Sequence, residues 1–295
     1  MTDVYCHPEA LVTTEWVVEH ASDTSVTVVE VDTDLEAHYK TGHVPDAIGW
    51  GLHTDLEDTV RRDIPSVTAI ESLLAVSGIG SDTTVVLYGD GNNRSATWAF
   101  WILKYYRHAD VRIMNGGRKK WLDEGRALSI ETPDPELAVY RAGTPDKSLR
   151  VHRDYVVSNL DRESFKPLDT RTLEEYRGEL VSSPGSAQAG IYRKGRIPGA
   201  IHAPWDDAAA TDGTFLPAEE LRRMYEGEGL DLSDEVVPYC RLGVRASYSW
   251  FVLKYLLGYE RVRNYDGSWT EWGNSTAVPI ETGSSHAGEA VPGSA

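Results

Sequence analysis

Cysteine is nearly absent from this 295-residue chain, which has two, Cys6 and Cys240. Neither a disulfide framework nor a four-cysteine zinc site can be built from them. Lysine is scarce as well, 8 among 29 basic residues, against 46 acidic ones. The formal charge of −17 repels nucleic acid and anionic membrane, which excludes both as general partners. It also repels any small anionic substrate, which then needs a local cluster of Arg or Lys to hold it. Strong acidity with few lysines suits a protein working in high salt, where screening tames self-repulsion, although an ordinary acidic cytosolic protein carries the same signature. Apolar runs are short: the stretch 98–103 is far from the roughly 18 residues that a membrane span requires. The start, Met1-Thr2-Asp3-Val4, lacks the basic-then-apolar order of a signal peptide. A soluble, cytoplasmic protein is therefore expected. Cys6, beside His7 and Pro8, has no partner at metal-ligand spacing and reads as incidental. No metal and no organic cofactor is expected, because no His/Cys cluster or phosphate-binding loop occurs.

What the chain does have is an internal repeat of about half its length. Val85-Val86-Leu87-Tyr88-Gly89 recurs as Val236-Val237-Pro238-Tyr239-Cys240. Each run is followed by a short polar loop ending in Arg94 or Arg245 and then by an apolar helical stretch, 96–106 or 246–257. Both stretches contain a Leu-Lys-Tyr step, at 103–105 and 253–255, and both lead through a β-like segment and a glycine turn into a Trp-containing helix, with Trp121 in one half and Trp269 and Trp272 in the other. Upstream, Val28-Val29-Glu30-Val31-Asp32 answers Pro167-Leu168-Asp169-Thr170-Arg171, and Gly42-His43-Val44-Pro45-Asp46-Ala47-Ile48 answers Gly195-Arg196-Ile197-Pro198-Gly199-Ala200-Ile201. Short β-branched runs alternating with helical patterns predict, in each copy, an α/β unit with a mainly parallel sheet flanked by helices. The proline-bearing segment 131–150 reads as the linker, which gives domains at 1–140 and 141–282. The Ser/Gly/Ala-rich insert 179–194 reads as a surface loop, and the end of the chain, from Glu281 onward by composition and bounded as 283–295, as a disordered tail.

The copies differ where a parallel strand turns into its helix, the edge at which open α/β folds bind ligands. The first loop, Gly89-Asp90-Gly91-Asn92-Asn93-Arg94, has no nucleophile; the second reads Cys240-Arg241-Leu242-Gly243-Val244-Arg245. A tight loop aims backbone N–H groups inward, and the helix behind it adds a positive dipole end. With Arg241 and Arg245 adjacent, such a setting favours a thiolate, and comparable settings lower cysteine pKa to about 3.5–7.5. This is the argument against a merely structural cysteine. The first copy then reads as a degenerate domain retained for packing and for covering the site. The run Arg118-Lys119-Lys120 reads as a solvated helix face, and Gly89-x-Gly91 is too short for a nucleotide-binding fingerprint.

Tandem α/β repeats, Asp169-Thr170-Arg171, the Gly-x-Ile-Pro-Gly-Ala stretch at 195–200, the Cys-Arg-x-Gly-Val loop and Asn264-Tyr265-Asp266-Gly267-Ser268-Trp269 together resemble the rhodanese family, and within it the two-domain thiosulfate sulfurtransferases. The resemblance implies an inactive first domain and a persulfide-forming cysteine, Cys240, in the second. This chain has Arg196 where the family usually has histidine, and Leu242 where animal members have lysine. Phosphatases of the same fold use a Cys-x5-Arg loop. The shorter Cys240-x4-Arg245 ring suits a sulfane sulfur better than a phosphoryl group. Mercaptopyruvate sulfurtransferases typically read Cys-Gly-Ser-Gly-Val-Thr, and Arg241 and Leu242 in place of that Gly-Ser favour an inorganic dianion.

The expected reaction is ping-pong transfer from thiosulfate to a thiophile such as cyanide through a Cys240 persulfide. Backbone N–H groups of Leu242, Gly243, Val244 and Arg245 are expected to solvate the persulfide, and Arg241 and Arg245 to hold the sulfonate. Asp169 and Arg171 line the pocket or form a structural ion pair, the second being favoured. A mercaptopyruvate sulfurtransferase and a persulfide carrier serving a protein partner are the alternatives. A monomer is the simplest assembly, since the chain already contains a pseudo-dimer.

Overall fold

β-Branched residues dominate the short strands, and most are buried on both faces, as helix-covered parallel strands require. In the computed structural model, which describes residues 4–181 and 190–283, the strands in chain order are β1 (Leu11–Val12), β2 (Val26–Asp32), β3 (Ile48–Gly51), β4 (Thr84–Tyr88), β5 (Val111–Met114), β6 (Phe165–Asp169), β7 (Ile201–His202) and β8 (Glu235–Tyr239). The first sheet has the order β1-β5-β4-β2-β3, with every pair parallel. The second has the order β7-β6-β8, also parallel. Single parallel bridges from Val236 to Val262 and from Arg150 to Asn264 extend it in the same order as the first. The β-like stretch expected near 262 is thus present only as bridges. Both halves are α/β units with parallel sheets, as the alternating pattern predicted.

The two units meet through their apolar helices. Asp90–Tyr105 is buried along nearly its whole regular part, because one side covers its own sheet and the other meets the helix Val244–Phe251. Thr97 Oγ1 lies 3.4 Å from Ser247 Oγ. Phe100 meets Phe251 and Tyr255 edge-on at 4.8 Å, a favourable aromatic geometry. Since 97 pairs with 247 and 100 with 251, the helices run in the same sense and their N-termini converge. Each N-terminus follows a strand-to-helix loop, so the loops converge too.

Internal contacts repeat with altered residues. Tyr39 Oη donates to Ala47 O at 2.8 Å and Tyr176 Oη to Ala200 O at 2.9 Å. His43 stacks on Tyr39 at 3.9 Å, and Arg196 lies over Tyr176 at 4.4 Å. Arg196 therefore fills the place of a histidine as a buried cation over an aromatic face. Tyr88 and Tyr239 both donate to a buried carboxylate of the neighbouring strand, Glu30 and Asp169 respectively. Each carboxylate also has its own arginine, Arg118 on Glu30 at 2.9 Å and Arg171 on Asp169 at 2.6 Å.

That pairing corrects one expectation: Arg118 is buried on Glu30 rather than solvated, while Lys119 is exposed as expected. The linker is less free than its composition suggested. Gly143 N–H donates to Tyr106 O at 3.0 Å, and His108 Nδ1 meets the Tyr140 hydroxyl at 3.2 Å. Ordered chain also continues to 283, where Glu281 pairs with Arg196 in an antiparallel bridge and Gly283 N–H donates to Arg177 O at 2.9 Å. The tail over 284–295 and the insert over 182–189 lie outside the described residues.

Burial pushes the Glu30 carboxyl up to about 8, with Asp32 adding to it and Tyr88 and Arg118 opposing. A carboxyl whose folded pKa exceeds its unfolded one near 4.5 stabilises most at low pH, and the contribution is lost as pH rises from there through the folded value. Glu30→Gln should therefore flatten the fall of the unfolding midpoint between about pH 5 and pH 8. A slope identical to that of the parent protein would refute the assignment.

Candidate functional site

Cys240 follows β8 directly and is buried, with 1% of its surface exposed. Gly243 N–H donates to its sulfur at 3.1 Å. Gly243 sits at φ 91°, and a Cβ there would lie 2.8 Å from Asp266 Cα, so only glycine closes the loop this tightly. The carbonyls of Cys240 and Arg241 turn to the helix Ser268–Trp272, accepting from Trp269 N–H and Thr270 N–H, each at 3.0 Å. Cys240 N–H donates to Ser268 Oγ at 3.0 Å, and that hydroxyl donates to Tyr265 O at 2.8 Å.

Ser268 holds this position at φ 51°, a left-handed conformation uncommon for a side chain with a Cβ. The first copy solves the same problem in reverse. Gly117 takes the left-handed place at φ 55°, and Asn93, left-handed at the end of its own loop, accepts from Gly89 N–H at 3.0 Å. The first loop, 89–93, carries three successive left-handed residues, Gly91, Asn92 and Asn93, before its helix becomes regular. The second, 240–243, is one residue shorter, and the π-helical turn Val252–Leu256 takes up the residue saved, so that Val111 and Val262 again correspond. The cysteine loop thus differs in length as well as in residue type.

Arg245 was expected to hold the substrate's sulfonate; in the structure its guanidinium is engaged by a carboxylate of its own domain. Its two terminal nitrogens form a paired bridge to Glu175, at 2.8 and 3.0 Å. Glu175 is placed by a capping box with Thr172 at the start of the helix Leu173–Arg177. Burial pushes the Glu175 carboxyl up, but Arg245, with help from Arg171, holds it below the ordinary range. Burial works against the Arg245 charge, and Glu175 and Cys240 more than restore it. Arg241 is half-buried, and burial, then Arg245, then Arg62 press its pKa down. Leu242 is half-buried in the loop, and Val244 begins the helix. Arg171 is buried in the core, bonded through Nε and Nη2 to Asp169 at 2.9 and 2.6 Å and stacked on Trp269 at 4.5 Å. The parallel Glu30–Arg118 pair in the copy whose loop lacks a cysteine supports a structural role for Asp169 and Arg171.

The first domain reaches this site in two places. Its hairpin, bridged between Asp58 and Asp63, is fixed by Arg150, which binds Asp63 at 2.5 Å and Asp266 at 2.8 and 2.6 Å. The second-domain hairpin, bridged between Ala209 and Phe215, covers the first loop in the same way, with Phe215 N–H on Asn115 Oδ1 at 3.0 Å and Lys120 on Asp212 at 2.9 Å. Arg94 crosses from the first domain to lie over Trp205, 5.7 Å from its ring centre. Glu175, Ser268 and Arg94 were not singled out from the sequence as site residues. Glu175 had a local signal in the Thr-x-x-Glu spacing of a capping box, and Arg94 and Ser268 stood within repeated or motif-like stretches without a role of their own. Among the described residues no cluster of His, Cys, Asp and Glu could hold a metal ion, and no helix is long and apolar enough to cross a membrane.

The profile of the rhodanese-like domain matches residues 13–124 and 152–275. The sulfur carrier protein TtuD of Thermus thermophilus is 49% identical over 282 residues, covering 95% of this chain and 99% of that one. A protein of Saccharopolyspora erythraea with a provisional thiosulfate sulfurtransferase name is 44% identical over 92% of this chain and 96% of its own. Among solved structures, an anaerobic ergothioneine biosynthesis enzyme from Chlorobium limicola, in complex with trimethyl histidine, superposes with a TM-score of 0.83 at 27% identity, over 95% of this chain and 72% of that one. A structure of EanB with ergothioneine covalently linked to a cysteine persulfide gives a TM-score of 0.82 at 27% identity, over 94% of this chain and 71% of that one.

Removing one partner of a buried ion pair costs about 3–5 kcal/mol, whereas replacing both by well-packed apolar groups is often neutral. Glu175→Gln should accordingly lower the unfolding midpoint by several degrees, and Glu175→Leu with Arg245→Met should recover most of it. Calorimetry of the three proteins decides; a single variant as stable as the parent would refute the coupling.

Proposed function

The chain belongs to the rhodanese family, and from that premise we propose that it is a thiosulfate sulfurtransferase working through a Cys240 persulfide. The observation that carries this reading is the asymmetry between the loops: a buried cysteine sulfur receiving Gly243 N–H at 3.1 Å in one copy, and a longer loop without any nucleophile in the other. Cys240 thiolate attacks the outer sulfur of thiosulfate. The S–S bond of the donor breaks, its electron pair leaves with sulfite, and the new S–S bond leaves the negative charge on the outer sulfur of the persulfide. Cyanide then takes that sulfur as thiocyanate and the thiolate returns. Gly243 N–H offers a preorganised donor to the sulfur throughout. Half 141–282 carries the chemistry, and half 1–140 covers it.

A second reading is supported by the near full-length match to a sulfur carrier: the persulfide passes to a protein partner rather than to a small thiophile. A mercaptopyruvate donor is the third, with Arg241 and Leu242 in the loop weighing against it.

Intact mass separates these readings. Thiosulfate should add about one sulfur atom (~32 Da), and cyanide should remove it with release of thiocyanate. Cys240→Ser should abolish the adduct without changing the circular dichroism. A wild-type protein that stays unmodified by thiosulfate but gains the adduct from mercaptopyruvate would replace the donor. Loading by thiosulfate with slow cyanide release would favour the carrier.

A further inference from the structure

A small dianion approaching a chain of net charge −17 requires a cation whose hydrogen-bonding edge is available. Arg245 is poorly suited to supply it, because Glu175 bridges its two terminal nitrogens and offsets its charge. Arg94 has the opposite character. It is the first regular residue of the long helix of the first domain, and its guanidinium has no hydrogen bond or ion pair to any side chain or carbonyl among the described residues. It lies over the face of Trp205 at 5.7 Å, and Trp205 in turn meets Tyr248 of the cysteine-bearing helix edge-on at 5.1 Å. A guanidinium resting on an aromatic face keeps its N–H edge for oxygen atoms.

Its position is fixed by the packing between domains. Thr97, one turn further along, touches Ser247, so Arg94 stands beside the start of the helix that the Cys240 loop opens into. Burial lowers its pKa, Arg245 lowers it further, and the charges of Cys240 and Asp206 oppose both. It therefore lies within the electrostatic reach of the candidate nucleophile, although it belongs to the other domain.

We propose that Arg94, contributed by the domain without a nucleophile, binds the anionic oxygens of the sulfur donor at Cys240 and sets the preference for a compact dianion. The site is then composite, with the nucleophile from one repeat and the anion-holding arginine from the other. This inference rests on the reading of Cys240 as the sulfur-accepting residue, but it can be tested without turnover.

The probe is sodium sulfate, an unreactive dianion with the oxygen arrangement of thiosulfate. Alkylation of Cys240 by iodoacetamide is followed by peptide mass, which separates it from the exposed Cys6, over a series of sulfate concentrations at constant ionic strength. Sulfate should protect Cys240 in the parent protein. Arg94→Ala should raise the half-protecting concentration at least tenfold, and Arg94→Lys should raise it less. In steady state, Arg94→Ala should raise KM for thiosulfate by a similar factor. No protection in the parent protein, or equal protection in Arg94→Ala with the fold confirmed by circular dichroism, overturns the assignment. Arg94-dependent protection without any loading by thiosulfate would uphold the anion site and refute the proposed donor.

Discussion

The contact between the two long helices is the constraint from which the rest of the site follows. Thr97 against Ser247 and Phe100 against Phe251 hold the helices so that their N-termini converge, and each N-terminus brings its loop with it. Positive helix ends and loop N–H groups from both repeats then face one region. Had the contact paired the N-terminus of one helix with the C-terminus of the other, the loops would lie at opposite ends of the interface. Arg94 could not then approach Cys240. The aromatic filling of the contact is fixed in geometry because Phe100 meets Trp250, Phe251 and Tyr255 at tilted or edge-on angles, while Phe251 and Tyr255 stack on each other at 5.5 Å.

Within that frame the two loops are alternative answers to one backbone problem. The first N–H after the central strand points away from any strand partner and needs an acceptor. In the first domain Asn93 supplies it from within the loop, which requires glycine at 117, since a Cβ there would lie 2.4 Å from Asn93 Oδ1. In the second, Ser268 supplies it from outside. That leaves the loop position before the helix free to be glycine and the loop one residue shorter. The shortening brings Gly243 N–H onto the cysteine sulfur. A cysteine placed at 89 by substitution alone would inherit the longer loop and its three left-handed residues, so the difference between the repeats is one of backbone as well as of side chain.

The fold was legible because the repeat supplied its own control: runs that matched at 85 and 236 were strands in both places, and the stretches after them were helices in both. The loop carrying Cys240 was legible for the same reason. What escaped was the destination of long side chains. Arg245 and Arg118 look alike in sequence to any exposed arginine. Their partners Glu175 and Glu30 lie 70 and 88 residues away and are placed by the sheet, and no local pattern reports such a pairing. Arg94 escaped because its relevance arises only from the docking of one repeat on the other. The ordering of 281–283 escaped because one antiparallel bridge to Arg196 overrides a composition that otherwise favours disorder.

The preference for arginine over lysine acquires a local meaning. Arginine keeps its charge under burial and offers a planar edge while its face stacks. Arg171 on Trp269, Arg196 on Tyr176 and Arg94 on Trp205 all use the face in this way. For Arg171 and Arg196 the edge is already committed, to Asp169 and to the carbonyl of Gly283 respectively. Arg94 differs from them in having no such commitment among the described residues. A cation kept half-buried without an acceptor is costly to a fold unless something else compensates it. In a chain with a large excess of carboxylates, an acceptor of the chain's own would have been easy to place there. On the proposed role of Arg94, a repeat without a nucleophile contributes a charge to the site carried by the other, where Arg245 is already engaged by Glu175.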